Sequence, residues 1–404
     1  MKNPLLLPSR FHIFHLQFVD SLIAERNDSD AMSATSIFLP IINSPAPAPI
    51  SVQDDQSRSR QFDLGIGKEV SIPQLLKSLT LRRIWNAVKI LASFLLSAIT
   101  KKNIVWGVPP ILTIEPTNLC NLRCPLCVTG NGSMTRENGR MDFPTYKRLI
   151  DDLADRAIYV VLFHQGEPYI NRQFNEFVAH AKQRGLYVTT SSNAHYFDDK
   201  TAEAAVVSGL DTIIISVDGA TQESYSHYRV GGSLEKVLEG TRNLVAAKKR
   251  LHCKTPYVYM QFIVMKHNEH ELAAMEKLAA ELGVDRLLKK TVQVETYAEA
   301  QEWLPTAERF RRYNLTEENF TVKNGGKGAC PRPWLTTLVN WDGSVVPCCF
   351  DKNGHHITGE VQTAPGFGEI WQSEKYSDFR HRLLNDRESI DMCRNCNQGI
   401  GLFI

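Results

Sequence analysis

The sequence predicts an α/β protein, a partial (βα)6 TIM-like barrel followed by a small α+β module, on three observations. Short β-branched runs alternate with helical stretches over residues 111–288, the alternation stops past Thr296, and cysteines gather at short spacings on both sides of that change. Strands separated by helices are the mark of a parallel sheet, because each parallel neighbour needs a crossover. The strand runs are 111–115, 158–163, 187–192, 212–217, 257–264 and 284–288. The helical stretches are 143–156, 173–184, 199–208, 233–249 and 269–282. Six strands suit a partial barrel, whose reactive end is the C-terminal edge of the strands.

Composition narrows the function. With 404 residues, 43% apolar and 22% charged, the chain can bury a large core. Its Lys+Arg count of 46 against 44 Asp+Glu leaves a formal charge of +2, so it lacks the basic field that nucleic-acid binding needs. A small-molecule or peptide substrate is expected. Nine cysteines, odd in number and clustered, read as metal ligands in a reducing cytoplasm.

Residues 1–72 read as a poorly ordered leader: Pro8, Arg10 and two histidines interrupt any signal-peptide core, and 43–60 is rich in Pro, Ala, Ser, Gln and charge. Met32 is an alternative start. An amphipathic helix is expected over 73–102, where Leu75, Leu76, Leu79, Ile84, Val88, Leu91, Leu95 and Ile99 recur at helical intervals. Its apolar run from 90 to 99, between Lys89 and Lys101, falls short of the roughly 20 residues of a membrane span. It either docks on the barrel or lies in a membrane interface with Arg82, Arg83 and Lys89 at the headgroups. The barrel then occupies 103–295 and the second module 296–404.

Directly after the first strand comes Cys120-Asn-Leu-Arg-Cys124-Pro-Leu-Cys127. Three thiolates leave one iron of a [4Fe–4S] cubane without a protein ligand, and that iron can chelate the amino and carboxylate groups of S-adenosylmethionine (SAM). A three-cysteine zinc site or a structural cubane is the plainer alternative. Here the chain resembles the radical SAM superfamily over residues 110–295. The resemblance implies that Gly166 and Glu167 of Gln165-Gly-Glu-Pro168 hold the SAM amino group, with Gln165 standing where the family has a first glycine. It implies ribose contacts from Ser191 and Asn193 of Ser191-Ser-Asn193. It also places Asp218, in Ser216-Val-Asp-Gly219, and Arg229, past Tyr225, at the SAM site, Arg229 pairing with the SAM carboxylate. His164, beside the Gln-Gly-Glu turn, reads as a proton-moving group or as a hydrogen-bonded histidine with no chemical role.

The second module carries Cys330, the pair Cys348-Cys349, and a terminal Cys393-x2-Cys396. Asp342-Gly343 signals a tight hairpin that would bring Cys330 and Cys348 together, leaving the terminal pair to complete a four-thiolate site. Four thiolates leave no vacant iron, which suits electron transfer; zinc is the structural alternative. This resembles the SPASM domain or its shorter "twitch" form and implies one auxiliary [4Fe–4S] cluster on Cys330, Cys348, Cys393 and Cys396. Cys348 is preferred to Cys349 because its spacing resembles that of a twitch-type dehydrogenase. Cys253 reads as a bystander.

The resemblance implies an oxidoreductase that cleaves SAM to a 5′-deoxyadenosyl radical and takes hydrogen from an unactivated C–H bond. A second electron then passes to the auxiliary cluster, giving a dehydrogenation or hydroxylation. A flavodoxin or ferredoxin would be the electron donor. The apolar helix hints at a hydrophobic substrate, such as a bacteriochlorophyllide-type methyl group; a small sugar alcohol, a ribosomal peptide and a non-catalytic scaffold are the competing readings.

Overall fold

Strands buried on both faces read as continuous apolar runs, and Thr212–Ser216, with all five residues buried, is the clearest of them. The computed structural model describes residues 51–54, 70–323 and 329–396; the leader over 1–50 and 55–69, with Met32, lies outside the described residues. Seven strands in chain order are β1 (Ser51–Asp54), β2 (Ile111–Ile114), β3 (Tyr159–Val161), β4 (Tyr187–Ser192), β5 (Thr212–Ser216), β6 (Tyr257–Val264) and β7 (Arg286–Thr291). From β2 to β7 they pair in sequence order and all in parallel. The chain before and between them forms α1 (Ile72–Lys77), α2 (Leu81–Thr100), α3 (Phe143–Leu153), α4 (Phe174–Gln183), α5 (Asp199–Val207), α6 (Gln222–Tyr228), α7 (Leu234–Arg250) and α8 (Leu272–Leu282). Local chemistry sets the helix ends: Asp142 caps α3 by accepting from Thr145 N at 2.7 Å, and Gly283 ends α8 in the left-handed conformation.

The structure departs from the expected pattern at four places. β7 reaches Thr291, past the expected 288, because its mouth end is Lys289-Lys290-Thr291, polar residues that carry no strand signal. The short helix α6 rests on a capping box between Thr221 and Ser224, with no apolar periodicity to announce it. Ser51–Asp54, inside the stretch read as unstructured, pairs with β7, Ser51 opposite Arg286. The single helix expected over 73–102 is two, broken at Ser78–Thr80, where Thr80 Oγ1 caps α2 by accepting from Arg83 N at 3.3 Å.

Those two helices lie where the strands begin. Val70 and Leu75 pack on Ile111, Tyr159 and Tyr187, and Ser71 N donates to Tyr187 Oη at 2.9 Å, so α1 floors the barrel. In α2, Arg83 donates to the carbonyls of Ala154, Arg184 and Gly185, residues that precede β3 and β4. Asn86 bonds Val108, ahead of β2, through both its amide atoms. By length and composition α2 could cross a membrane, contrary to the expectation from its short apolar run.

The C-terminal module continues the same sheet. After α9 (Tyr297–Trp303) and the hairpin of β8 (Tyr313–Leu315) and β9 (Phe320–Val322), α10 (Arg332–Leu335) leads into β10 (Thr336–Val339), β11 (Ser344–Val346) and β12 (Gly359–Glu360). β10 runs parallel to β2 with Thr336 opposite Ile111, and β11 and β12 follow antiparallel. The β10–β11 turn is the expected one, Gly343 adopting φ +81°. The helices α11 (Phe367–Trp371), α12 (Glu374–Asn385) and α13 (Asp391–Arg394) complete the described chain. A ten-stranded sheet thus crosses the boundary expected at 295.

Candidate active site

The loop leaving β2 carries Cys120, Cys124 and Cys127, and none of the nine cysteines is in a disulfide. Donors already face two of these sulfurs: Leu122 N lies 3.4 Å from Cys120 Sγ and Arg229 Nη1 lies 3.8 Å from Cys124 Sγ. The Cys127 thiol donates to Gln165 Oε1 at 3.6 Å. Burial, reinforced by Glu167 and the other two cysteines, pushes the Cys120 thiol up to about 12; burial also raises Cys124, against the pull of Arg229. Thiols held protonated in this way become ligands when a cation stands among them, which fits an iron–sulfur cluster.

The Gln165-Gly-Glu turn is fixed to that loop from the other side. Gly166 has φ +74°, and a Cβ there would stand 2.6 Å from the carbonyl oxygens of both Thr117 and Leu119, so only glycine fits. Gln165 has no positive φ, so its side chain is tolerated and reaches the cluster loop. Glu167 N donates to Leu119 O at 2.8 Å. The Glu167 carboxylate is buried and accepts from Ser192 Oγ at 2.8 Å, Asn193 N at 2.7 Å and Tyr169 N at 3.3 Å. Burial outweighs these donors and pushes the carboxyl up to about 7. Asn193 Nδ2 donates to Asn121 Oδ1 at 2.8 Å, tying β4 to the cysteine loop, and Ser191 stands half-buried two residues before it.

Asp218 is fully buried and both its oxygens are engaged: Oδ2 lies 2.6 Å from Arg229 Nε and Oδ1 accepts from Ile263 N at 2.7 Å. It therefore positions Arg229, whose Nη1 faces Cys124. Burial, with Arg136 and Lys352 nearby, pushes the His164 imidazole down to about 3, which favours its neutral form. Its Nε2 is buried without a hydrogen-bond partner.

Sequence reasoning missed the pair that steadies this end of the barrel. Glu115, just past β2, takes two bonds from Arg136, at 2.8 and 2.9 Å, both side chains being almost wholly buried. Arg136 Nε also donates to Lys352 O at 2.9 Å, and Trp341 N donates to Glu115 Oε2 at 3.2 Å. A carboxylate closing an apolar strand was the available signal; its partner 21 residues on had none.

Cys330, Cys348, Cys393 and Cys396 line one small cavity together with Arg332 and Arg387, and Cys349 is not among its walls. Burial pushes Cys330 to about 11 and Cys393 to about 12. Among the described residues no three Cys, His, Asp or Glu side chains converge as the ligands of one ion would, whereas a cubane takes each thiolate at a separate iron corner. Against known families, the profile of the radical SAM superfamily matches residues 114–279 and that of SPASM, an iron-sulfur cluster-binding domain, matches 330–397. Between them they span more than half of the chain. The chain belongs to the radical SAM superfamily.

As a radical SAM enzyme it takes SAM, a [4Fe–4S] cluster and auxiliary iron–sulfur as cofactors. It is 26% identical over 310 residues to the mycofactocin maturase MftC of Mycobacterium ulcerans, covering 71% of this chain and 80% of that one. It is also 26% identical over 335 residues to the Fe-coproporphyrin III synthase of Methanosarcina barkeri, covering 71% and 80%. The solved structure of Streptococcus suis SuiB bound to S-adenosylmethionine shares the fold, with a TM-score of 0.54 at 14% identity over 78% of this chain and 77% of that one. Beside the cysteine loop of this radical SAM enzyme lies a cavity of 250 Å³. Leu126 and Val128 wall it from the loop, Tyr228, Thr291 and Gln293 from the barrel, and Lys352 from the C-terminal module.

Proposed function

We propose that the chain is a biosynthetic radical SAM oxidoreductase that removes hydrogen from an unactivated C–H bond and completes a two-electron oxidation with its C-terminal cluster as acceptor. The observation that carries this is the cavity of 250 Å³ walled by Leu126 and Val128 of the cysteine loop and by Lys352 of the module whose four cysteines line a second cavity. When bound, the cluster on Cys120, Cys124 and Cys127 supplies the electron that cleaves SAM and so the hydrogen-abstracting chemistry. The chain's own residues do the holding. Glu167 receives the SAM amino group, Arg229, aimed by Asp218, takes the carboxylate, and Ser191 and Asn193 border the ribose. Cys330, Cys348, Cys393 and Cys396 hold the second cubane. A flavodoxin or ferredoxin in the cytoplasm supplies electrons.

For the substrate, a cavity of this volume lies just below the range of ligand pockets, which run from roughly 300 to 1,000 Å³. It suits one side chain of a peptide or a small polar molecule, with Lys290, Arg312, Glu295 and Glu299 in its walls. The similarity to the PqqA peptide cyclase of Rhodopseudomonas palustris, 26% identical over 301 residues and covering 68% of this chain and 77% of that one, supports the peptide reading. The similarity to Fe-coproporphyrin III synthase favours a tetrapyrrole as the second reading. Anaerobically reconstituted protein given dithionite and SAM should form 5′-deoxyadenosine; a scaffold would form none. With a candidate peptide or tetrapyrrole, mass spectrometry should find a product two hydrogens lighter or one oxygen heavier, and unchanged mass with every candidate of a class rejects that class.

A further inference from the structure

The helix α2 is packed inside out. An amphipathic surface helix normally turns its apolar stripe to the core. Here the buried face holds Arg83, Asn86, Ser93 and Ser97 with only Ile90 and Phe94 between them. Each polar group on that face is bonded: Arg83 and Asn86 as described, Ser93 Oγ accepting from Trp106 N at 2.9 Å, and Ser97 Oγ accepting from Ile104 N at 2.9 Å. The opposite face presents Leu81, Ile84, Trp85, Val88, Leu96 and Ile99 to solvent, with Leu81 86%, Trp85 63% and Ile99 60% exposed. Trp106 just beyond the helix is 52% exposed, and Ile72 and Leu76 of α1 extend the patch. A contiguous apolar face of this kind marks an interaction surface.

Charge decides what covers it. From Val70 to Ile114 the chain has no Asp or Glu, but it has Lys77, Arg82, Arg83, Lys89, Lys101 and Lys102. Lys77, Lys101 and Lys102 are exposed around the stripe, Arg82 is exposed and pairs with Asp155 at 3.3 Å, and Lys89 is half-buried on the flank. A second copy of the chain docking here through a two-fold axis would set these like charges face to face. Anionic lipid headgroups complement them, and exposed tryptophans with flanking lysines are the composition of an interfacial helix. A span is excluded by the buried face, whose arginine and asparagine are committed to backbone groups of the barrel.

We propose that α2, with α1 and Trp106, seats the enzyme on an anionic membrane surface by the floor of the barrel. The helix bonds residues ahead of β2, β3 and β4, whereas Cys120, Glu167 and Asn193 follow those strands. The membrane therefore lies under the closed end and the cavity opens toward the aqueous side, so the apolar helix is an anchor and not the entry for a lipidic substrate.

The test is flotation of the full-length holoenzyme with vesicles of phosphatidylcholine alone or with phosphatidylglycerol added. The expected result is binding to the anionic vesicles that weakens with salt and is lost in Trp85→Glu/Val88→Glu, while melting temperature and 5′-deoxyadenosine formation stay at wild-type levels. Lys101→Gln/Lys102→Gln removes charge and leaves the stripe, and should lower the partition coefficient about fivefold per residue at low salt. Absence of binding by a monodisperse wild-type protein overturns the proposal. A wild-type dimer that ignores vesicles and is split by Val88→Glu also overturns it and makes the face a contact between copies. Because the readout is vesicle binding, failure here leaves the proposed oxidation untouched.

Discussion

Gly166→Ala is the substitution that most directly tests how the SAM-holding turn is tied to the cysteine loop. The residue sits at φ +74°, which costs a residue with a Cβ about 1–2 kcal/mol. The larger effect is steric. The new Cβ would lie 2.6 Å from Thr117 O, 2.6 Å from Leu119 O and 2.7 Å from Asn118 C, all backbone, and these must give by about 0.8 Å to reach an ordinary contact of 3.4 Å. That stretch ends one residue before Cys120, and Leu119 O is also the acceptor of Glu167 N, so cluster and SAM sites move against each other. Misplacement near 1 Å costs on the order of a hundredfold in rate. The expected outcome is a ten- to hundredfold fall in 5′-deoxyadenosine formation by reconstituted protein, with iron bound and a melting temperature lowered by a few degrees. Gly132→Ala is the control, since Gly132 has φ +76° in the same loop with nothing within 4 Å of the added Cβ. It should keep the wild-type rate. Wild-type turnover by Gly166→Ala, or an equal loss in both variants, refutes the steric argument.

The remaining predictions rest on other contacts. Arg136→Met strands the buried Glu115 carboxylate and should lower unfolding free energy by about 3–5 kcal/mol, part of which Glu115→Gln/Arg136→Met recovers; a loss under 1 kcal/mol in denaturant melts speaks against the clamp. Glu167 has a folded value near 7 above its ordinary 4.5, so the proton it keeps on folding stabilises fully below about pH 4.5 and that contribution is lost as pH rises through about 7. Metal-free wild type should therefore lose up to about 3 kcal/mol relative to Glu167→Gln between pH 5 and 8, and parallel stability profiles would count against this. Cys348→Ala should lower iron from about eight to about four per chain while Cys349→Ala keeps it, and the reverse in iron analysis reassigns the ligand. Cys393→Ala/Cys396→Ala should still form 5′-deoxyadenosine but yield no oxidised product; product at the wild-type rate makes the second cluster structural.

Much of the fold was legible because parallel strands advertise themselves. β4 and β6 begin and end where the β-branched runs do, and the cysteines, Gly166 and Glu167 stand at the strand ends where the alternation places them. What stayed hidden depends on partners distant in sequence. Periodicity revealed a stripe in α2 but not which side it faces, since Arg83 is buried by carbonyls about 70 to 100 residues away. Nothing in the neighbourhood of Asp218 in the sequence tells that its oxygens bond Ile263 N and Arg229. The position of His164 beside the turn likewise says nothing of Arg136 and Lys352. Nor does composition report β1, whose place in the sheet comes from backbone pairing.

The pairing of β10 with β2 changes what the C-terminal module means for the chain's history and for its engineering. A parallel strand left bare along one side is an invitation to intermolecular pairing. Cutting the chain at 295 would leave β2, the strand that presents the cysteine loop, as such a margin. The module therefore cannot be deleted or exchanged as a unit without giving β2 a new neighbour, and grafting a foreign module onto this barrel requires matching the register of Thr336 with Ile111 before matching any electron-transfer distance.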